Sequence, residues 1–187
     1  MRERLTPTRA PTRHPRLPIP VANRVRIIGG AFRRRVIRFP ATAGLRPTPD
    51  RVRETLFNWL GQDLTGKRCL DLYAGSGALT LEAASRGAAL AVAVDRERVL
   101  VAALRATSVE LGATAVEANI GDARAFIANE RREFDVIFLD PPFGEDPWSW
   151  LLPACASRAA PDGFVLWRHD KAGRVHYHLF NRADGTP

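Results

Sequence analysis

Two short segments of the chain carry residue types that could do chemistry, at 71–77 and 140–143. In the first, an apolar run ends in Asp71 and a helical pattern begins directly after Gly77. Glycines at such a turn let the backbone pass close to a ligand at a helix N-terminus. The next apolar run ends in Asp95, eighteen residues beyond Gly77, where a carboxylate could accept both hydroxyls of a ribose. This spacing predicts a site for an adenosine-containing cofactor, and a tight turn without a ligand is the alternative interpretation.

The residue types of this segment favour S-adenosylmethionine over a dinucleotide. Dinucleotide sites prefer a third small residue where this chain has Thr80. A carboxylate at Asp71 attracts the methionine ammonium and would repel a pyrophosphate. Asp122 could reach the adenine amine or could cap the next helix. The predicted cofactor-binding residues are Asp71, Ala74, Gly75, Gly77, Asp95, Arg96, Asp122 and Ala123.

The second segment, Asp140-Pro141-Pro142-Phe143, fits a flat base with an exocyclic amine. Its prolines fix the backbone and remove two N–H donors, so the loop presents mainly acceptors beside an aromatic ring. Hydrogen bonds to the Asp140 carboxylate and the Pro141 carbonyl would draw the amine nitrogen towards tetrahedral geometry and direct it at a sulfonium methyl. Phe143 would stack on the base. We predict that these four residues are catalytic; a rigid turn after a buried strand is the other interpretation.

The elements that must position both segments alternate along the chain. Strand-like runs separated by helical segments predict an α/β, Rossmann-like fold with a mostly parallel sheet, and ligands beyond the carboxyl ends of its strands. A last run at 174–180 is expected to form an antiparallel edge strand. The predicted strands are 68–73, 90–94, 113–118, 134–139 and 164–167, and the predicted helices are 77–86, 96–111, 122–131 and 148–158.

Positive charge is concentrated at the start of the chain of 187 residues, whose formal net charge is +8. The first 53 residues hold 14 Arg against two acids, and the remainder holds 14 Lys and Arg against 18 acids. This asymmetry predicts that one end of the molecule contacts a polyanion, with nucleic acid as the leading candidate.

The basic region divides into an extension and a small folded unit. Residues 1–24 contain five Pro and six Arg, which predicts a disordered extension. Apolar runs at 25–28 and 36–39 predict a basic β-hairpin. A helix with Thr48 as its cap should follow. We therefore expect a methyl-transfer domain over 25–187, with a nucleic-acid-facing part at 25–60 and a core at 67–182.

Two further features exclude other classes of protein. Cys69 and Cys155 have no His or Cys at metal-ligand spacing, so we predict buried thiols in a reducing compartment and no metal site. No apolar run approaches the roughly 18 residues that a membrane span requires. We expect a cytoplasmic protein without a membrane partner.

In combination, these motifs resemble the RsmD-type family of bacterial 16S rRNA guanine-N2 methyltransferases. The resemblance covers about 25–182 and rests on segments at 26–30, 44–48, 50–58, 71–77 and 140–143. It implies S-adenosylmethionine as the donor and one guanine N2 amine of 16S rRNA, of the position 966 type, as the acceptor. The substrate would be the small ribosomal subunit or an assembly intermediate, and the enzyme a monomer. The RNA-binding residues implied are Arg26, Arg33, Arg34, Arg35, Arg46, Arg51 and Arg53.

The chain departs from the family pattern at Arg34 and Thr80, where the family commonly has glycine. Arg51 and Glu54 could close over the cofactor instead of contacting RNA. Three other functions stay open: methylation of an adenine or cytosine amine in DNA or another RNA, a nucleotide-dependent oxidoreductase, and a noncatalytic RNA-binding assembly factor. Thr80 and the proline loop disfavour the oxidoreductase.

Overall fold

The computed structural model describes residues 23–42, 45, 47–142, 147–171 and 174–182. The predicted extension lies outside these residues except for Asn23 and Arg24, which begin the first strand. The strands are β1 (Asn23–Arg26), β2 (Val36–Phe39), β3 (Arg68–Asp71), β4 (Leu90–Asp95), β5 (Val116–Ile120), β6 (Phe134–Leu139), β7 (Ala159–Lys171) and β8 (Arg174–Asn181). The helices are α1 (Asp50–Trp59), α2 (Ala78–Ser85), α3 (Arg98–Leu111), α4 (Ala123–Asn129) and α5 (Trp148–Ala156).

The expected alternation of strands and helices is confirmed. The largest differences between predicted and observed bounds occur in two strands. β5 starts three residues later than predicted, because Gly112 ends α3 in a left-handed conformation and Ala113 donates its N–H back to Ser108. β7 has thirteen residues instead of the predicted four, because it pairs with β6 on one side and with β8 on the other. The antiparallel edge strand is thereby confirmed.

Six strands form one sheet in the order β5-β4-β3-β6-β7-β8. The pairs from β5 to β7 are parallel, and β8 is antiparallel to β7. The chain order reverses at β3, which has β4 on one side and β6 on the other. Ligands of open α/β sheets bind beyond the strand ends at such a switch point. Asp71 is in register with Phe138, so both candidate loops begin side by side at this edge.

Helices cover both faces of the sheet and complete three layers. On one face, α2 and α3 pack with Ala93 of β4, and α1 and α2 pack with Val136 and Phe138 of β6. On the other face, Val92 and Val94 pack with residues of α4 and α5. Burial on both faces explains why the strands are almost continuously apolar.

β1 and β2 form a separate antiparallel hairpin that packs on α2 and α3. Its inward side chains Val25, Ile37 and Phe39 are buried in the same cluster as residues of these helices. Its outward side chains Arg24 and Arg38 face each other across the strands and are both exposed. Like charges directly opposite each other destabilise a strand pair, so an anionic partner on this face would stabilise the hairpin.

A buried ion cluster attaches the hairpin to α2. Glu82 is fully buried, and its carboxylate accepts hydrogen bonds from the backbone N–H groups of Ile28 at 2.9 Å and Gly29 at 2.8 Å. The same carboxylate pairs with Arg53 at 3.3 Å and with Arg86 at 2.8 Å. One carboxylate therefore holds the hairpin, α1 and α2 together.

The prediction that Arg53 contacts RNA is wrong, because this side chain is fully buried. Besides its pairing with Glu82, the guanidinium donates to the Asp50 carboxylate at 2.6 Å and to the Arg26 carbonyl at 2.8 Å. Its Nε donates to the Thr48 carbonyl at 3.1 Å. All three nitrogens are thus used inside the protein, where they link α1 to the hairpin.

Membrane-spanning helices and clusters of metal ligands are both absent from the part of the chain that the structure describes. No helix there is long and apolar enough to cross a membrane. In the same residues, no group of three or more His, Cys, Asp and Glu side chains is arranged to hold a metal ion. Cys69 and Cys155 are buried and free, which confirms their predicted burial, and burial raises the pKa of both thiols.

Candidate active site

A cavity of about 810 Å³ lies beyond the carboxyl ends of β3, β4, β5 and β6. Its size is typical of sites for small ligands. Residues of both candidate loops line it, so the two loops share one space. The predicted residues that line the cavity are Asp71, Ala74, Gly75, Asp95, Arg96, Asp122, Ala123, Asp140, Pro141 and Pro142.

The glycine loop makes a tight turn between β3 and α2. Gly75 and Gly77 have φ values of +51° and +74°, in the left-handed region that other residues rarely adopt. A Cβ at Gly75 would lie 2.8 Å from Cδ1 of Leu45, and one at Gly77 would lie 2.5 Å from Cδ1 of Leu104. Gly75 therefore forms part of the cavity beneath Leu45. Gly77 is the N-cap of α2 and is not among the residues that line the cavity, so its predicted contact with the cofactor stays a prediction.

Asp95 ends β4 and fixes the glycine loop. Its Oδ2 accepts from the backbone N–H of Gly75 at 2.7 Å, and its Oδ1 accepts from the N–H of Glu97 at 2.8 Å. A carboxylate oxygen can accept more than one hydrogen bond, so both oxygens keep capacity for a ligand. Arg96 is exposed at the rim of the cavity. The ribose contact of Asp95 stays a prediction.

Asp71 supplies a buried carboxylate, with 2% of its surface exposed. Its Oδ2 accepts from the Thr80 hydroxyl at 2.8 Å, whereas no hydrogen bond reaches its buried Oδ1 from the described residues. Burial raises the pKa of Asp71 to about 7, and the charges of Asp140 and Asp95 add to the rise, whereas hydrogen bonds from the Thr80 hydroxyl and the Tyr73 backbone N–H oppose it. A buried carboxylate oxygen without a partner is costly, so the site fits the ammonium of S-adenosylmethionine. Thr80, a departure from the family pattern, orients this carboxylate.

Asp122 is the N-cap of α4, where its side chain accepts from the N–H of Ala125 at 2.9 Å. The helix-capping interpretation is therefore confirmed. The residue also lines the cavity beside Ala123. Its contact with an adenine amine stays a prediction.

Asp140 follows β6 and receives a hydrogen bond from the N-terminal region. The Thr48 hydroxyl donates to Oδ2 of Asp140 at 2.9 Å, across 92 residues of sequence. The prediction that Thr48 caps α1 is wrong, because the N-cap is Pro49 and no side chain caps this helix. Phe143 lies outside the described residues, so its stacking on a base stays a prediction.

Arg168 of β7 holds the proline loop from the other side. Its Nη1 pairs with Oδ1 of Asp140 at 2.5 Å, and its Nη2 donates to the Pro141 carbonyl at 2.8 Å. Arg168 is 9% exposed and lines the same cavity. One guanidinium thus binds both acceptors that we predict for the target amine.

Sequence reasoning missed the roles of Arg168 and Thr48. Arg168 follows the apolar run of β7 at the level of Asp140, since Leu139 is in register with Trp167. A cation directly after the predicted strand 164–167, at the level of the acceptor loop, is a signal that could have indicated it. Thr48 carries no such signal, because a helix cap explains the residue equally well.

Most of the arginines predicted to bind RNA lie on the hairpin. Arg46 lies outside the described residues. Besides the buried Arg53, two of the others pair with acids: Arg26 with Asp50 at 3.4 Å and Arg35 with Glu110 at 3.2 Å. The exposed members of the predicted set are Arg26, Arg33, Arg34, Arg35 and Arg51.

The exposed surface adds two details to the predicted RNA face. Arg24 and Arg38 are exposed on the same hairpin and were not predicted. Arg51 and Glu54 are exposed and are not among the residues that line the cavity. The alternative in which they close over the cofactor is therefore not supported. Among the described residues, Thr42, Leu45, Pro47 and Thr48 line that side of the cavity.

The sheet order, the glycine loop and the adjoining acceptor loop define the class of Rossmann-like methyltransferases that use S-adenosylmethionine. A solved structure of this class is T. thermophilus 16S rRNA N2 G1207 methyltransferase (RsmC) in complex with AdoMet and guanosine. Its TM-score with this chain is 0.64 at 29% identity, covering 83% of this chain and 44% of the other. This similarity confirms the predicted fold.

The chain belongs to the family described as conserved hypothetical protein 95, the RsmD family, whose model matches residues 25–181. Two relatives carry the name ribosomal RNA small subunit methyltransferase D. The protein from Escherichia coli (strain K12) is 35% identical over 181 residues, covering 86% of this chain and 91% of the relative. The protein from Haemophilus influenzae is 39% identical over 179 residues, covering 83% and 93%. The resemblance inferred from the motifs is confirmed.

Proposed function

We propose that this protein transfers a methyl group from S-adenosylmethionine to the exocyclic N2 amine of a guanine in 16S rRNA. The observation that carries the proposal is the single cavity that joins the Asp71 carboxylate to the Asp140 and Pro141 acceptors. The names of the two relatives support the reaction and the RNA. The RsmC complex, which contains AdoMet and guanosine, supports the pairing of donor and base.

Three carboxylates divide the recognition of the donor. Asp71 would receive the ammonium at its unpartnered Oδ1. Asp95 would accept the ribose hydroxyls, and Asp122 would accept from the adenine amine. Asp71 and Asp95 end the adjacent strands β3 and β4, Asp122 follows the next strand β5, and all three side chains line one cavity. Leu45, above Gly75, would exclude water from this part of the site.

Asp140 and Pro141 prepare the amine for reaction. The N2 lone pair of guanine is delocalised into the ring, so the amine is a poor nucleophile. Hydrogen bonds from its two N–H groups to the Asp140 carboxylate and the Pro141 carbonyl would draw the nitrogen out of the ring plane. Bound S-adenosylmethionine supplies a sulfonium methyl, and the S–C electron pair stays on sulfur when the N–C bond forms. The proton that N2 loses passes through the Asp140 carboxylate to water.

The identity and setting of the target nucleotide also belong to this proposal. The target is the guanine at position 966 of 16S rRNA, as the family resemblance implies. The enzyme acts on the small ribosomal subunit or an assembly intermediate, as a monomer in the cytoplasm. The exposed arginines of the hairpin support docking on a large anionic particle.

The first test replaces Asp140 and measures catalysis and donor binding separately. Purified protein is incubated with methyl-labelled donor and with small subunits that lack the modification. We expect Asp140→Ala and Asp140→Asn to lose turnover by at least ~100-fold, since positioning of the amine supplies much of the rate. Calorimetry should give a donor affinity near that of the native protein. Asp162→Asn, at an exposed site on β7, is the matched control and should keep full turnover.

The same assay separates the competing functions. Turnover retained by Asp140→Ala would remove this residue from the reaction. Label in adenine or cytosine nucleotides would replace the guanine amine as the target. Donor binding by the native protein without any transfer to subunits or RNA would favour the noncatalytic assembly factor. Mapping the labelled nucleotide tests position 966.

A further inference from the structure

We propose that Arg168 is a positioning residue that sets the spacing of the two acceptors for the target amine; this rests on the function proposed above. The guanidinium uses one nitrogen for the Asp140 carboxylate and another for the Pro141 carbonyl. It thereby determines whether both N–H groups of an amine find acceptors at the same time. Arg168 belongs neither to the predicted cofactor-binding residues nor to the predicted RNA-binding arginines.

The proline loop needs such a donor because two of its residues have no backbone N–H group to donate. Pro141 and Pro142 have no N–H groups, and Pro142 is exposed. The Pro141 carbonyl therefore relies on a side chain to fix its direction. A planar guanidinium presents two N–H groups in a fixed fork, which holds two acceptors at one separation.

The position of Arg168 in the sheet explains why this contact is rigid. β7 lies beside β6, and the register of Leu139 with Trp167 brings Arg168 level with Asp140. On its other side, Arg168 is in register with Tyr177 of β8. The antiparallel edge strand thus supports the strand that carries the guanidinium, which gives β8 an indirect role in the site.

Arg168 leaves the acceptors available to a substrate. A carbonyl oxygen has two lone pairs, and a carboxylate has about four acceptor positions. Thr48 uses one position on Oδ2 of Asp140. The positive guanidinium also balances the Asp140 charge in a cavity that already contains Asp71. An amine can therefore bind to a loop whose geometry is set before it arrives.

The test compares Arg168→Lys and Arg168→Met with the native protein in steady-state methylation of unmodified small subunits. Lysine keeps the charge but has no fork, and methionine keeps only the length. We expect kcat to fall about 100-fold in Arg168→Met, the loss typical of a misplacement near 1 Å, and less in Arg168→Lys. The KM for subunits and the calorimetric donor affinity should stay within about twofold, because neither the hairpin nor Asp71 is altered.

Two controls separate positioning from folding. Arg182→Met changes an arginine of the same edge region that pairs with Glu133 at 3.6 Å, and it should keep its kcat. Guanidinium ion added to Arg168→Ala should restore part of the kcat without changing KM. Native kcat in a folded Arg168→Met or Arg168→Lys variant would overturn the proposal, as would losses confined to KM or donor affinity. Lack of activity in the native protein would contradict the proposed function instead.

Discussion

At the scale of single residues, Asp71 shows how the site favours one kind of ligand. Its carboxylate is almost completely buried, with one oxygen bound by Thr80 and the other unpartnered in the described structure. Burial raises its pKa to about 7, so much of the free protein carries a protonated Asp71 at neutral pH. A cationic ligand reverses this balance, because it stabilises the ionised form.

We therefore expect donor affinity to rise as the pH rises from about 6 to 8, with release of up to one proton on binding near pH 6. Calorimetry in buffers of different ionisation enthalpy measures both quantities. Thr80→Val removes the hydrogen bond that lowers the Asp71 pKa, so its affinity profile should shift to higher pH. Asp71→Asn should bind weakly at every pH. An affinity that is independent of pH in the native protein would show that Asp71 does not bind the ammonium.

The same pKa shift has a defined effect on the stability of the free protein. The folded pKa is raised above the unfolded value of 3.8, so the folded state binds more protons between these values. The contribution of Asp71 to the free energy of unfolding is therefore greatest at low pH and declines as the pH rises towards about 7. Donor binding should compensate for this decline.

At the scale of elements, Glu82 connects the basic hairpin to the helix that begins at the glycine loop. Its carboxylate binds two hairpin amides and two guanidinium groups in a buried environment. Removal of one partner from a buried ionic cluster leaves uncompensated charge and unsatisfied donors. The hairpin should therefore depend on α2 for its order.

We predict that Glu82→Gln lowers the free energy of unfolding by about 3–5 kcal/mol, the usual cost of breaking a buried ion pair. Chemical denaturation measures this change, and hydrogen exchange should show faster exchange at the amides of Ile28 and Gly29. Glu110→Gln breaks the exposed pair with Arg35 and should have little effect. Equal stabilities for the two variants would contradict the assigned role of Glu82.

Element types and their order could be predicted because they depend on local periodicity and turn residues. The proximity of Asp71 and Asp140 also followed, since neighbouring parallel strands end at one edge. The contacts of Thr48 and Arg53 could not be predicted, because their partners are distant in sequence. Thr48 binds Asp140, and Arg53 binds Glu82. Local rules assign a threonine before a helix to its cap, and an arginine in a basic segment to the surface.

At the scale of the whole molecule, the arginines of the hairpin form a basic surface on the α2 and α3 side. The exposed pair Arg24 and Arg38 is unfavourable within the hairpin and suits a polyanion. Some of the remaining charge is already paired, as Arg35 is with Glu110. Hairpin arginines for which the described structure shows no acidic partner should therefore contribute most to the electrostatic part of RNA affinity.

We expect Arg33→Ala to weaken RNA binding and to reduce its salt dependence by roughly one charge. Arg35→Ala should have a smaller effect, because its charge is shared with Glu110. Filter binding across a range of salt concentrations measures the slopes, and calorimetry should show unchanged donor affinity. Arg131→Ala alters an exposed arginine in the connection between α4 and β6 and serves as the control. Identical slopes for Arg33→Ala and the native protein would exclude contact at the hairpin tip.

Arg34, at the tip of the hairpin, has a left-handed backbone with a φ of +71°. The residue therefore combines an unfavourable backbone conformation with a positive charge that could bind an anionic partner. A side chain in this conformation costs roughly 1 kcal/mol relative to glycine. Glycine would relieve that cost and would also remove a cation from the predicted RNA-binding surface. Selection for folding stability therefore favours glycine at this position, whereas selection for affinity towards an anionic partner favours arginine.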